Sequence, residues 1–206
     1  MKWLIVLITV FVMAFSGVAM ANWHADNVGV YFDDGAEELC VRNISDIGMY
    51  HMYVVITNMT SAGVKGFELQ LASDGPIAFS NYTFPEGSGA MNFQSPPSFM
   101  VGFAAPIFAV DRMATVMEFD ILIFSTNPVN WDEDQDAHVY VKEIFFHSLP
   151  IEVPCYANDL DELVELHQST GTELDPVTIF SLDSAGCGAV VASDETSWDS
   201  LKSLYR

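Results

Sequence analysis

Along residues 113–125 apolar and polar positions alternate: Met117, Phe119, Ile121 and Ile123 are apolar, and Glu118 and Asp120 between them are acidic. A period of two sends successive side chains to opposite faces of a strand. This segment therefore predicts a strand with one buried and one wetted face, as antiparallel sheets permit. Residues 64–71 repeat the pattern, with Phe67, Leu69 and Leu71 on one face and Glu68 and Gln70 on the other. Residues 27–32, 49–57, 77–84, 99–104, 137–147, 162–167 and 177–182 complete the predicted strands. The 137–147 segment is largely apolar on both faces and predicts a central strand covered on both sides. Turn signals separate these runs, among them Asp33-Asp34-Gly35, Asn58 and Asp74-Gly75-Pro76. Short strands at this spacing predict an all-β, antiparallel β-sandwich, here one domain over residues 22–183.

The two ends break the pattern. Lys2 precedes an apolar run from Trp3 to Val18, and Ala19-Met20-Ala21 follows with small residues at the outer positions. That order predicts a cleaved signal peptide over residues 1–21 and a mature protein that is secreted, at the cell surface or periplasmic. The run is short for a membrane span of ~20 residues, so no span is expected after cleavage. Residues 184–206 read as a linker and an amphipathic tail. Thr196-x-x-Asp199 resembles a capping box, and Trp198, Leu201 and Leu204 with Tyr205 recur at helical spacing. Lys202 and Arg206 suit the C-terminal end of the helix dipole. A short C-terminal helix is expected, either packed on the sandwich edge or exposed as a docking or sorting tail.

Charge narrows the class of partner. Asp and Glu number 28 against 7 Lys and Arg, a formal charge of −21. Such a surface repels phosphate backbones, which argues against nucleic acid, and favours metal cations or a basic partner. The cysteines are Cys40, Cys155 and Cys187. Export permits a disulfide, and the polar, loop-rich stretch between Cys155 and Cys187 makes that pair the expected bridge.

Candidate chemistry gathers at one loop. Asp132, Asp134 and Asp136 follow an Asp-x-Asp-x-Asp spacing, with Glu143 at the twelfth position from Asp132. Four ligand positions of a calcium loop are thereby matched. Ala137 stands at the sixth position, where such loops use glycine, and the flanks read as strands. The expectation is a looser calcium site on Asp132, Asp134 and Asp136, or a solvated acidic hairpin. Trp131 beside these acids, with Tyr82 and Trp23, offers aromatic faces on which a sugar ring could stack. The five histidines fall in no zinc spacing, and no nucleophile elbow or phosphate loop occurs. Asn43, Asn58 and Asn81 open N-glycosylation triplets.

Tyr53-Val54-Val55-Ile56-Thr57-Asn58 and Gly63-Val64-Lys65-Gly66-Phe67-Glu68-Leu69-Gln70-Leu71 resemble the early strands of cohesin-like and related carbohydrate-binding-module domains. Ala114-Thr115-Val116-Met117-Glu118-Phe119-Asp120-Ile121 is similar to a later strand of the same domains. The resemblance implies a jelly-roll sandwich of about nine strands. It also implies a non-catalytic role in holding a protein module or a polysaccharide. The resulting expectation is an extracellular binding or assembly module that grips a protein or polysaccharide through a sheet face or loop, with self-association through strand edges as one route to assembly. Two alternatives stay open: a secreted, calcium-dependent polysaccharide hydrolase, and a structural subunit of a surface layer or filament.

Overall fold

The structure is a computed structural model that describes residues 25–182 apart from 38–39, 42–43, 45, 132–135, 145–149, 152 and 169–177. Thirteen strands lie among the described residues: β1 (Asn27–Tyr31), β2 (Cys40–Val41), β3 (Gly48–Thr57), β4 (Gly63–Ser73), β5 (Ile77–Thr83), β6 (Met91–Asn92), β7 (Ser98–Phe108), β8 (Ala114–Ile123), β9 (Asp136–Lys142), β10 (Cys155–Asn158), β11 (Leu163–Glu165), β12 (His167–Gln168) and β13 (Thr178–Ser181). Every predicted strand is present. The count exceeds nine because β2, β6 and β12 are two-residue pairings, β10 had no alternation to reveal it, and residues 162–167 split into β11 and β12.

Hydrogen bonding sorts the strands into two sheets. The first runs β12-β1-β3-β8-β5, and the second follows the path β11-β10-β4-β9-β13-β2 with β7 on β4 and β6 on β7. Most pairs are antiparallel; β1 with β12 and β2 with β13 are parallel. Gln70 pairs with both Ser98 and Lys142, and Phe67 with both Val101 and Tyr156. A strand has two edges, so β7 occupies one edge of β4 while β9 and β10 share the other. The chain leaves that edge after Lys142 and rejoins it at Cys155. The strand expected over 137–147 therefore stops at Lys142. It is central, between β4 and β13, but its faces differ. Val139 and Val141 are buried, whereas His138, Tyr140 and Lys142 are partly exposed.

The two inner faces meet in one core. Phe67, Leu69 and Leu71 of β4 are buried, as are Met117, Phe119, Ile121 and Ile123 of β8. Each such side chain contributes roughly 1.5–3 kcal/mol on burial. The Asp74-Gly75-Pro76 turn forms as expected. Gly75 has φ +78°, and a Cβ there would lie 2.6 Å from that of Ala137, so only glycine fits. Asp74 braces the turn by accepting from the His138 backbone N–H at 2.6 Å. Burial pushes the Asp74 carboxyl upward, but its bonds with His138 outweigh that and hold it below the usual carboxylate range.

Among the described residues the only helical element is a 3₁₀ turn, Pro128–Asn130. No described helix is long and apolar enough to cross a membrane. The expected signal peptide and C-terminal helix lie outside the described residues.

Candidate interaction surface

The five-stranded sheet presents its outward face through β3, β8 and β5. Along β3, Met52 and Val54 point into the core, and Met49, His51 and Tyr53 therefore point outward. Along β8, Phe119, Ile121 and Ile123 point inward, and Glu118, Asp120 and Leu122 outward. Register then sets these side chains in rows. Met49 pairs with Leu122, which pairs with Ala78; His51 pairs with Asp120, which pairs with Ser80; Tyr53 pairs with Glu118, which pairs with Thr83.

The first row is apolar. Ile47 and Phe124 stand one residue beyond the paired ends of β3 and β8, next to this row. Ile47, Met49 and Phe124 are 62%, 59% and 52% exposed, so more than half of each side chain faces water.

The next two rows are polar and bonded across strands. Asp120 Oδ1 lies 2.8 Å from His51 Nδ1, and Glu118 Oε2 lies 3.3 Å from Nε2. The first contact joins directly opposed residues and the second is the diagonal neighbour, both within cross-strand reach. Asn81 donates its amide N–H to Asp120 Oδ2 at 2.8 Å. The His51 ring also meets Tyr53 edge-on, with centroids 4.9 Å apart. The Asp120 hydrogen bond raises the His51 pKa; partial burial opposes it, and Glu118 adds to the rise. Asn81 chiefly, then His51, hold Asp120 below the ordinary carboxylate value. Asp33 and Asp34 act on Tyr53, so further acids border the face. The described cations lie elsewhere. Lys65 is paired with Asp161, Lys142 is on β9, and Arg112 donates to backbone oxygens of Met59 and Asn58 at the opposite end of β8 from Phe124.

This arrangement can bury apolar side chains and receive positive charge. Both ring nitrogens of His51 face carboxylates, and the hydroxyl of Ser80 donates to the Asp120 backbone oxygen rather than to the imidazole.

The residues picked out by sequence fall elsewhere. Trp131 is buried, 7% exposed, and its indole N–H donates to the Ser125 carbonyl at 3.0 Å. Tyr82 is half-buried, with its ring 5.0 Å from that of Phe99 and 6.2 Å from that of Phe119. A bulge turned it inward. Ser80 pairs with Asp120 and Thr83 with Glu118, so β5 carries one residue more than β8 over this span. Asn81 absorbs the extra residue at φ +52°, and a one-residue slip moves Tyr82 to the other face. Neither aromatic is placed as an open stacking platform. Trp23, Asp132 and Asp134 lie outside the described residues, and Asp136 is buried on β9 opposite Ser181. Among the described residues no group of three or more His, Cys, Asp or Glu side chains is placed to hold a metal ion. Cys155 is a free, buried thiol pushed up to about 12, by burial first and then by Glu68 and Glu165. The bridge expected to Cys187 is thus not seen at Cys155, which lies inside a sheet; Cys187 is outside the described residues.

Sequence reasoning missed His51 and read Asn81 only as the start of a glycosylation triplet. It placed Glu118 and Asp120 on one wetted face but had no signal for which strand lies beside them.

No protein-family model and no curated protein matches the chain. Among solved structures it is similar to a cohesin module from a Clostridium perfringens family 33 glycoside hydrolase, at 7% identity and a TM-score of 0.45, covering 69% of this chain and 90% of that one. It is also similar to CaCohA2 from Clostridium acetobutylicum, at 11% identity and a TM-score of 0.44, covering 79% of this chain and 95% of that one.

Proposed function

We propose that the protein is a non-catalytic binding or assembly module that works outside the cytoplasm and holds a protein partner on the outward face of the five-stranded sheet. One observation carries this reading: Met49 on β3, and Ile47 and Phe124 just beyond the ends of β3 and β8, are each more than half exposed and neighbour the His51–Glu118–Asp120 cluster of those paired strands. Apolar side chains in the middle of a contact supply burial, and charges beside them select the partner and steer its approach. His51 brings at most one positive charge against two carboxylates. The fitting partner therefore carries Lys or Arg next to exposed apolar residues. Strand-edge pairing between copies is a weaker route on the β5 side, because the bulge at Asn81 breaks the regular ladder there.

The test is a panel of co-exported proteins screened against the intact chain by biolayer interferometry, followed by substitution. Met49→Asp with Phe124→Asp should weaken the partner at least tenfold, and binding should weaken with salt. Phe108→Asp, at an equally exposed site on the other sheet, should leave it unchanged. Equal losses from both variants, or none from the first, would overturn the assignment of the face.

A further inference from the structure

We propose that this face takes up an arginine guanidinium of its partner in exchange for the proton on His51. Glu118 and Asp120 receive the guanidinium, and His51 is the specificity residue that holds their place until it arrives. The inference rests on the reading of the face as a docking surface and adds which cation that surface selects and how pH sets its grip.

Three observations lead there. The first is that one ring faces two acids. Asp120 Oδ1 stands 2.8 Å from Nδ1, and Glu118 Oε2 stands 3.3 Å from Nε2. A neutral imidazole carries a single N–H, and only the imidazolium donates from both nitrogens. Both contacts are therefore satisfied only while His51 is protonated. Once the proton leaves, one nitrogen turns a lone pair toward a carboxylate, and that acid is left to take another donor.

The second is that the two acids are held unequally. The Asp120 contact has the length of a charge-assisted hydrogen bond, whereas the Glu118 contact is longer than such bonds run. Asn81, at the bulge in β5, fixes Asp120 further by donating to Oδ2 at 2.8 Å. Glu118 is thus the looser partner. Its side chain is 41% exposed against 22% for Asp120, so a cation arriving from solvent meets Glu118 first. A guanidinium presents planar N–H donors, as the imidazolium does, and replaces it more closely than the point charge of an ammonium.

The third is the sign of the surroundings. β8 contributes Glu118 and Asp120, and β5 contributes the neutral Asn81 and Ser80. On β3 itself Tyr53 meets the ring edge-on, and β1 sets Tyr31 opposite Tyr53. Asp33 and Asp34, just past β1, act on Tyr53. Every charged group among these is an acid, and the described cations Lys65, Lys142 and Arg112 lie elsewhere. The acids favour the protonated ring, Asp120 above all, against its partial burial. A basic partner therefore competes with the ring proton. It binds better as that proton is lost, and by linkage its binding drives the proton off to solvent.

Isothermal titration of the intact chain with a short synthetic peptide of alternating leucine and arginine provides the test. It is run at pH ~5.5 and ~8.5, on either side of the ordinary histidine value of ~6.5. The native chain should hold the peptide about three- to tenfold more tightly at the higher pH. Heats in buffers of different ionisation enthalpy should show protons released on binding between the two. His51→Gln, which cannot carry the charge, should bind tightly at both pH values, and His51→Lys, which always carries it, weakly at both. A leucine and lysine peptide should bind the native chain more weakly than its arginine counterpart. Equal affinity of the native chain at the two pH values would overturn the exchange. So would a pH dependence that persists in His51→Gln, or arginine and lysine peptides held alike. Met49→Asp with Phe124→Asp keeps these outcomes apart from those of the preceding section. Peptide binding that survives that double substitution, or no binding to the native chain, removes the face and the exchange together. Binding that is lost there yet indifferent to pH leaves the face standing and overturns the exchange alone.

Discussion

Tyr156 donates its hydroxyl hydrogen to Asp26 Oδ1 at 2.6 Å, across 130 positions of sequence. Asp26 leads into β1 of the first sheet, and Tyr156 lies on β10 of the second, so the bond clasps the two layers. Asp26 also accepts from the Thr60 backbone N–H at 2.9 Å and from its hydroxyl at 2.6 Å. These bonds hold Asp26 at φ +57°, a left-handed conformation that aspartate tolerates better than most residues. Burial first, and then the Asp26 hydrogen bond, drive the Tyr156 phenol up to about 12, which keeps it a neutral donor across the working range.

Tyr156→Phe should therefore destabilise the fold by about 1–3 kcal/mol, since it removes a charge-assisted bond and leaves a buried carboxylate short of a donor. Urea unfolding followed by tyrosine and tryptophan fluorescence would measure it. A loss too small to resolve would mean that water replaces the hydroxyl and that the clasp is not structural.

The His51 cluster gives the protein a pH signature of known sign. The folded pKa of His51 is raised, chiefly by Asp120. Its stabilisation is thus fully present below the ordinary histidine value of ~6.5 and fades as pH rises through the raised value. Asp120 is lowered, chiefly by Asn81. Its contribution is present above the ordinary aspartate value of ~3.9 and disappears as pH falls through the lowered value. His51 is 47% exposed, so solvent screening keeps its share below about 1 kcal/mol. Imidazole proton shifts should titrate above pH ~6.5 in the native chain and move downward in Asp120→Asn. A midpoint at or below that value in the native chain would contradict the pairing.

Cys155 should resist alkylation. A thiol that is fully buried and held near 12 presents almost no thiolate at neutral pH. Native protein treated with iodoacetamide should stay unmodified at Cys155. Denatured protein should be modified there without prior reduction, as peptide mass mapping would reveal. A requirement for reductant would show that Cys155 is bridged after all.

Phe119 is the core position where truncation should cost most on the first sheet. It is fully buried and meets Phe79 at 5.8 Å and Tyr82 at 6.2 Å between ring centroids. Phe119→Ala should cost about 3–5 kcal/mol from lost transfer energy and the cavity left behind. Tyr82→Phe, which keeps the ring, should stay within about 1 kcal/mol. Comparable losses from the two would place the Tyr82 hydroxyl, rather than ring packing, at the centre of the contact.

Alternation along β4 and β8 was enough to foretell the strands and the sandwich, and on β8 the buried face; on β4 Glu68, opposite the core row, is buried as well. Side-chain direction on a strand follows from the backbone of that strand alone. For the same reason, Glu118 and Asp120 could be placed together on a wetted face before any partner strand was known. Which residues stand beside them is a matter of register between segments far apart in sequence, and no local pattern carries it. Folding brought His51 from β3 against Asp120. One extra residue in β5 sent Tyr82 inward, and a sheet interior closed over Cys155. Trp131 shows the limit most plainly: an aromatic next to acids reads as an open face, yet its indole had a backbone carbonyl to reach and a core to fill, and burial of a large ring outweighs its exposure.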